Sequence, residues 1–123
     1  MNIIINTGSM IPIYEQIITA IKTKIAGGEL RDGDALPSVR LLANDLKISA
    51  LTVKKAYDEL ESIGLIATVH GKGSYVKAGE NKVLAEEQRK IVEAELERVY
   101  QKAKLCGIAD DDFIKMAEIV TGD

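Results

Sequence analysis

Two short clusters of small polar and basic residues hold most of the chain's capacity for chemistry. The first comprises Ser38 and Arg40, followed by Ser49, Ala50, Leu51, Thr52, Lys54 and Lys55; the second is His70-Gly71-Lys72-Gly73. Lysine donates to phosphate or to guanine acceptors, Ser and Thr hydroxyls donate to phosphate or a base, and Ala or Leu packs on a thymine methyl. Arginine grips phosphate through two donors at once. Glycines flanking Lys72 permit backbone to approach a nucleic-acid strand closely. Each position also has a plainer use. Ser49 caps a helix, Lys54 and Lys55 solvate one, Arg40 pairs with a carboxylate of its own chain, and the second cluster is an ordinary turn with a solvated lysine.

Catalytic and metal chemistry lack their ingredients. One histidine, His70, and one cysteine, Cys106, assemble neither a nucleophile with its base nor a metal set, so no enzyme activity, cofactor or metal is expected. Cys106 reads as a small apolar filler and has no partner for an internal disulfide. Four Tyr, one Phe and no Trp argue against a stacking platform for single strands.

The net charge of −3 speaks mildly against a phosphate-binding protein until its distribution is considered. Residues 1–79 hold nine Lys/Arg against eight Asp/Glu, residues 80–123 seven against eleven. The acidity sits in the tail, and a DNA-binding surface in the front part must be a local concentration of positive charge. A chain of 123 residues with 46% hydrophobic content supports one core with an appendage. Its longest apolar runs, such as residues 3–5, are far too short to span a bilayer. No signal peptide is legible at the N-terminus, and the expected location is cytoplasmic.

The elements that must position these residues follow from periodicity. Pro12 with Ile13, Ile17, Ile18, Ile21 and Ile25 predicts a helix over residues 12–26, closed by Gly27-Gly28. Residues 28–36 read as a turn-bearing loop. Ser38 caps a short helix over 39–46, and Ser49 caps a longer one over 50–63 that Gly64 ends. Two helices joined by so short a connection form a helix-turn-helix. Residues 65–69 and 74–77 are β-prone runs around a glycine turn, a β-hairpin. Helix-turn-helix followed by hairpin is the order of a winged helix, with its second helix as a rod for the major groove. Beyond Gly79 a helix over 83–105, a break at Gly107 and a last helix beginning near Asp110 predict a helical hairpin. The expected fold is therefore mainly α with one small β-hairpin: a winged helix-turn-helix domain over 1–79 and a two-helix tail over 80–123.

Four blocks now stand in order: Leu36-Pro37-Ser38-Val39-Arg40-Leu41-Leu42-Ala43, Ile48-Ser49-Ala50-Leu51-Thr52-Val53, Tyr57-Asp58-Glu59-Leu60-Glu61-Ser62-Ile63-Gly64-Leu65-Ile66, and His70-Gly71-Lys72-Gly73-Ser74-Tyr75-Val76. Together they resemble the GntR family of bacterial transcriptional regulators over about residues 12–77. The opening Ile11-Pro12-Ile13-Tyr14-Glu15-Gln16-Ile17 and the short tail resemble its small YtrA-like subfamily. The resemblance implies that Arg40 contacts operator DNA, that residues 49–54 begin the recognition helix, and that Gly71 and Gly73 form the wing tip. Many members carry arginine after the capping Ser or Thr, followed by threonine. Here Ala50 and Leu51 stand instead, shifting sequence choice toward thymine methyls, Lys54 and DNA shape.

A single winged helix reads too short a site for a regulator, whereas two related by a twofold axis read an inverted repeat. The tail is the expected clamp of a homodimer, through Leu84, Ile91, Val92, Leu96, Val99, Phe113, Ile114 and Ala117; the alternative is that this stripe packs on its own winged helix. The expected partner is double-stranded operator DNA and the expected outcome repression. A small-molecule effector is not required by the sequence, since so short a tail encloses no sizeable pocket within one chain. The competing reading is a winged-helix protein-interaction module without sequence preference for DNA.

Overall fold

The computed structural model describes residues 1–77, 79 and 81–122, the side chains of residues 81–83 excepted. Helix α1 (Ile13–Ala26) follows Pro12 and buries Ile17, Ile18, Ile21 and Ile25, the i, i+4, i+8 stripe of a helix laid on a core. Helix α2 (Val39–Leu46) starts at Ser38, whose hydroxyl accepts the Leu41 N–H at 3.1 Å. Helix α3 (Ala50–Ser62) starts at Ser49, which accepts the Leu51 N–H at 3.1 Å.

Between α2 and α3 the chain reverses in three residues. Lys47 adopts a left-handed conformation, φ 57°, and the Ile48 N–H donates back to the Ala43 carbonyl at 3.0 Å. This closes α2 in the manner ordinarily given to glycine. At the end of α3, Gly64 takes that role with φ 85°, and the Leu65 N–H donates to the Leu60 carbonyl at 3.0 Å. The turn throws the chain directly into the wing.

Strands β1 (Ile66–Val69) and β2 (Gly73–Val76) pair antiparallel, Ile66 opposite Val76 and Thr68 opposite Ser74. The stretch expected to be only a loop contributes as well. Ala35 bridges to Tyr75; the Leu36 N–H donates to the Ser74 carbonyl and the Val76 N–H to the Asp34 carbonyl, both at 2.9 Å. This short piece covers the free edge of β2, which would otherwise present unpaired backbone groups.

Two compact units divide between Glu86 and Glu87. The first has a single core that joins the α1 isoleucines to Leu36, Leu42, Val53, Tyr57, Leu60, Leu65, Ile66 and Val76. Ile3 and Leu84 belong to the same core. The expected boundary at 79 and 80 adjoins residue 80, which lies outside the described residues, and the observed division comes several residues later.

Helix α4 (Asn81–Leu105) therefore begins in the first unit and ends in the second. Gly107 turns the chain at φ 79°, with the Ile108 N–H donating to the Ala103 carbonyl at 2.9 Å, and α5 (Asp110–Thr121) folds back. Tyr100 and Phe113 meet edge to face at 5.3 Å, and the Tyr100 hydroxyl donates to Asp110 at 2.9 Å. Three aspartates in the first turn of α5 complement the positive end of the helix dipole.

Candidate nucleic-acid interface

Five of the residues singled out for chemistry, Arg40, Ala50, Leu51, Lys54 and His70, meet on one concave surface between α2, α3 and the wing, whereas Ser38, Ser49, Thr52, Lys55, Gly71, Lys72 and Gly73 do not line it. Val39, Arg40, Ala50, Leu51, Lys54, His70 and Ser74 line an open groove of about 680 Å³, with Tyr57, Asp58, Glu61 and Thr68 beside them. Tyr57 anchors it from beneath. Its hydroxyl donates to the Pro37 carbonyl at 2.8 Å, fixing the start of α2 to the middle of α3, and burial pushes this phenol's pKa upward. The group stays a neutral donor.

Ser38 and Ser49 both cap. A hydroxyl that accepts a backbone N–H keeps its own proton to donate, so capping leaves either residue able to bond a further acceptor. Arg40 is exposed and, among the described residues, has no carboxylate within ion-pair distance. The intramolecular use of its charge is thus not realised. Leu51 is 77% exposed, so its side chain is free to meet an apolar group on a partner. Thr52 is half-buried, its N–H donating to the Ser49 carbonyl.

The two lysines differ. Lys54 faces the groove and pairs with Asp58 at 2.7 Å. Lys55 turns toward α1, its ammonium 3.9 Å from the centre of the Tyr14 ring, and does not line the groove. In the wing, Gly71 and Gly73 have φ of 79° and 110°, which non-glycine residues adopt only at a cost. Lys72 and His70 are exposed at this tip, and the Lys72 carbonyl accepts the Tyr75 hydroxyl at 3.0 Å.

Sequence reasoning passed over the groove's acidic and hydroxylic members. Glu61 accepts from the Thr68 hydroxyl at 2.9 Å, and Thr68 meets Ser74 across the ladder at 3.1 Å. The i, i+4 spacing of Lys54 and Asp58 was the available signal for one of them. Among the described residues no group of three His, Cys, Asp or Glu side chains is placed to hold a metal ion.

The sequence profile of bacterial regulatory proteins of the gntR family matches residues 13–76, from the first residue of α1 to the last of β2. The chain belongs to the GntR family. GntR proteins are transcription regulators and not enzymes, and this chain is a DNA-binding regulator of that kind. The resemblance to YtrA-like members reaches into the tail: the HTH-type transcriptional repressor YtrA of Bacillus subtilis (strain 168) is 38% identical over 104 residues, 85% of this chain and 80% of its own.

Two solved structures place the GntR fold in context. A transcriptional regulator from Oenococcus oeni superposes with a TM-score of 0.75 at 30% identity, covering 98% of this chain and 97% of its own. The DNA-binding domain of AraR, solved in complex with operator ORE1, superposes with a TM-score of 0.52 at 28% identity, covering 62% and 93%.

The tail residues expected at a GntR dimer interface fall into two groups. Leu84, at 3% exposure, is buried in the core of the first unit, where its apolar surface is already covered by its own chain. Ile91, Val92, Leu96, Val99, Ile114 and Ala117 are exposed, and Phe113 is half-buried against Tyr100. Helix α5 has no buried residue at all. Among the described residues no helix is long and apolar enough to cross a membrane.

Proposed function

We propose that this chain is a repressor that binds an inverted-repeat operator as a homodimer, with α3 in the major groove and the wing at the minor groove. The observation that carries the reading is the shared groove of Arg40, Leu51, Lys54 and His70 between α3 and the wing. Helix N-termini and arginine hold phosphate, Leu51 meets a thymine methyl, and Lys54 meets guanine acceptors. Lys72 reaches the flanking strand from the tip, while Lys55 serves the α1 contact.

The tail supports the dimer. A helical hairpin whose second helix has no fully buried residue and which leaves Ile91, Leu96 and Ile114 more than half exposed is poorly satisfied alone in water. Leu96 and Ile114 also line one cleft between α4 and α5, so both helices contribute to a common apolar surface. A twofold partner covers it and sets two recognition helices about 34 Å apart. Repression is the activity named for the B. subtilis relative.

The test is selection from a random-sequence duplex pool at about 150 mM salt, then titration of the selected duplex against a scrambled one. An enriched inverted repeat bound at least ~1,000-fold more tightly than the scrambled duplex is expected. No enrichment returns the chain to the interaction-module reading. A reporter behind the selected operator rises when the gene is deleted; a fall would end the repressor assignment.

A further inference from the structure

The groove facing DNA in this reading is not basic. Two fixed cations, Arg40 and Lys54, stand among two carboxylates, Asp58 and Glu61. A carboxylate beside a polyanion lowers affinity for every sequence. Glu61 has a structural occupation in the Thr68 bond. Among the described residues Asp58 pairs with Lys54 alone, 2.7 Å away, with both side chains about 60% exposed. A lysine placed N-terminal to its acidic partner is also the less favourable order for stabilising a helix, so helix stability is a weak reason for the pair.

We propose that Asp58 is a specificity-determining positioning residue, one that lets Lys54 engage neutral acceptors on base edges and penalises its use on phosphate. The inference rests on the groove being the operator-binding face. An ammonium has three donors. With one on Asp58, two remain for guanine O6 and N7, which carry no net charge. On a phosphate, the Asp58 carboxylate must either stand beside a second anion or release Lys54 and lie unpaired in the groove. Non-specific binding consists almost wholly of phosphate contacts, so the penalty falls more heavily on the wrong DNA than on the operator. Discrimination against competitors by like charge is a general route to specificity. It gives an acidic chain a reason to keep a carboxylate on its DNA surface.

Asp58→Asn keeps the size and one acceptor for Lys54 while removing the charge. Scrambled duplex should then bind roughly fivefold more tightly per subunit at about 0.15 M salt, with a log–log salt slope steeper by about 0.9, as one more lysine reaches phosphate. Operator affinity should change less, so the specificity ratio falls. In a Lys54→Gln background the same substitution should leave the ratio unmoved, because the residue acts through the lysine. Thermal melts of both variants establish that the fold is retained, which the exposure of the pair favours. An equal rise on both duplexes, or no rise, overturns the proposal. So does loss of operator binding with scrambled binding unchanged, which would make Asp58 itself a reader of a base amino group. Failure of the underlying reading appears separately, in a wild-type titration without any preferred duplex.

Discussion

Arg40, Lys54 and Lys55 are close in sequence yet enter any encounter with DNA in three different conditions: unpaired among the described residues, paired with Asp58, and seated on the Tyr14 ring. Substitution should separate them. Arg40→Ala removes the proposed phosphate contact, so affinity for every duplex should fall and the log–log salt slope flatten by about 0.9 per subunit. Lys55→Ala is expected to leave that slope alone and to loosen α1 against α3 by about 0.5–1 kcal/mol, the worth of an exposed cation over an aromatic ring. Binding isotherms at several salt concentrations, with thermal melts alongside, check both; an unchanged slope for Arg40→Ala would take that residue off the interface. The caps at Ser38 and Ser49 were legible in the sequence because a cap and its acceptor bond lie within three residues. The use of Lys55 was not, since its partner sits on another helix and only tertiary packing brings the two together. Asp58 was within reach of pattern reading, but an acidic side chain has no place among the groups that hold phosphate and was passed over.

At the level of elements, a polar chain ties the wing to α3. Glu61, on the last turn of α3, holds Thr68 of β1, and Thr68 meets Ser74 of β2. Glu61→Ala should therefore cost about 1 kcal/mol of stability and lower operator affinity as the wing loses its angle to α3, whereas Glu61→Gln keeps an acceptor and most of both. Amide hydrogen exchange in β1 and β2, measured with operator titrations, would show the difference, and identical behaviour of the two variants would end the argument. Gly64, which sends the chain from α3 into the wing, has φ 85° with open space around an added Cβ. Gly64→Ala is thus expected to cost about 1–2 kcal/mol through backbone strain alone, visible as a lower melting temperature without any clash in the core. The helices were readable from their threes and fours, and the hairpin from its change to period two. The bridge at Ala35 was not, because one paired residue between Gly33-Asp34 and Leu36-Pro37 offers no alternation to detect. Leu84 was grouped with the tail for a related reason: it continues the α4 stripe at helical spacing, and spacing along a helix does not say which neighbour covers each position.

For the whole molecule, the division of charge and apolar surface between the units frames how an acidic chain regulates DNA. Residues 1–79 are close to neutral and the tail carries the excess negative charge, so one winged helix gains little from long-range attraction, and in the proposed dimer the second supplies the affinity it lacks. Joining two turns the second half-site's binding into an intramolecular event, an advantage of about 100- to 10,000-fold when the geometry permits both to engage. Leu96 lies on the exposed face of α4 and in the cleft shared with Ile114, outside the core of the winged helix. Leu96→Glu should place a charge in the proposed twofold interface, convert the expected dimer to monomer in sedimentation equilibrium, and leave the melting of the first unit nearly unchanged. Affinity for the full inverted repeat should drop toward that for a half-site, while the salt slope per bound subunit stays constant because no phosphate contact is lost. Leu84→Ala should behave in the opposite manner, destabilising the first unit by about 2–5 kcal/mol as a cavity in its core, with weaker dimerisation only as far as unfolding carries it. A Leu96→Glu protein that remains dimeric, or a monomer that grips the full repeat as tightly as the parent, would mean that the tail is not the clamp and that pairing on DNA arises from the winged helices themselves.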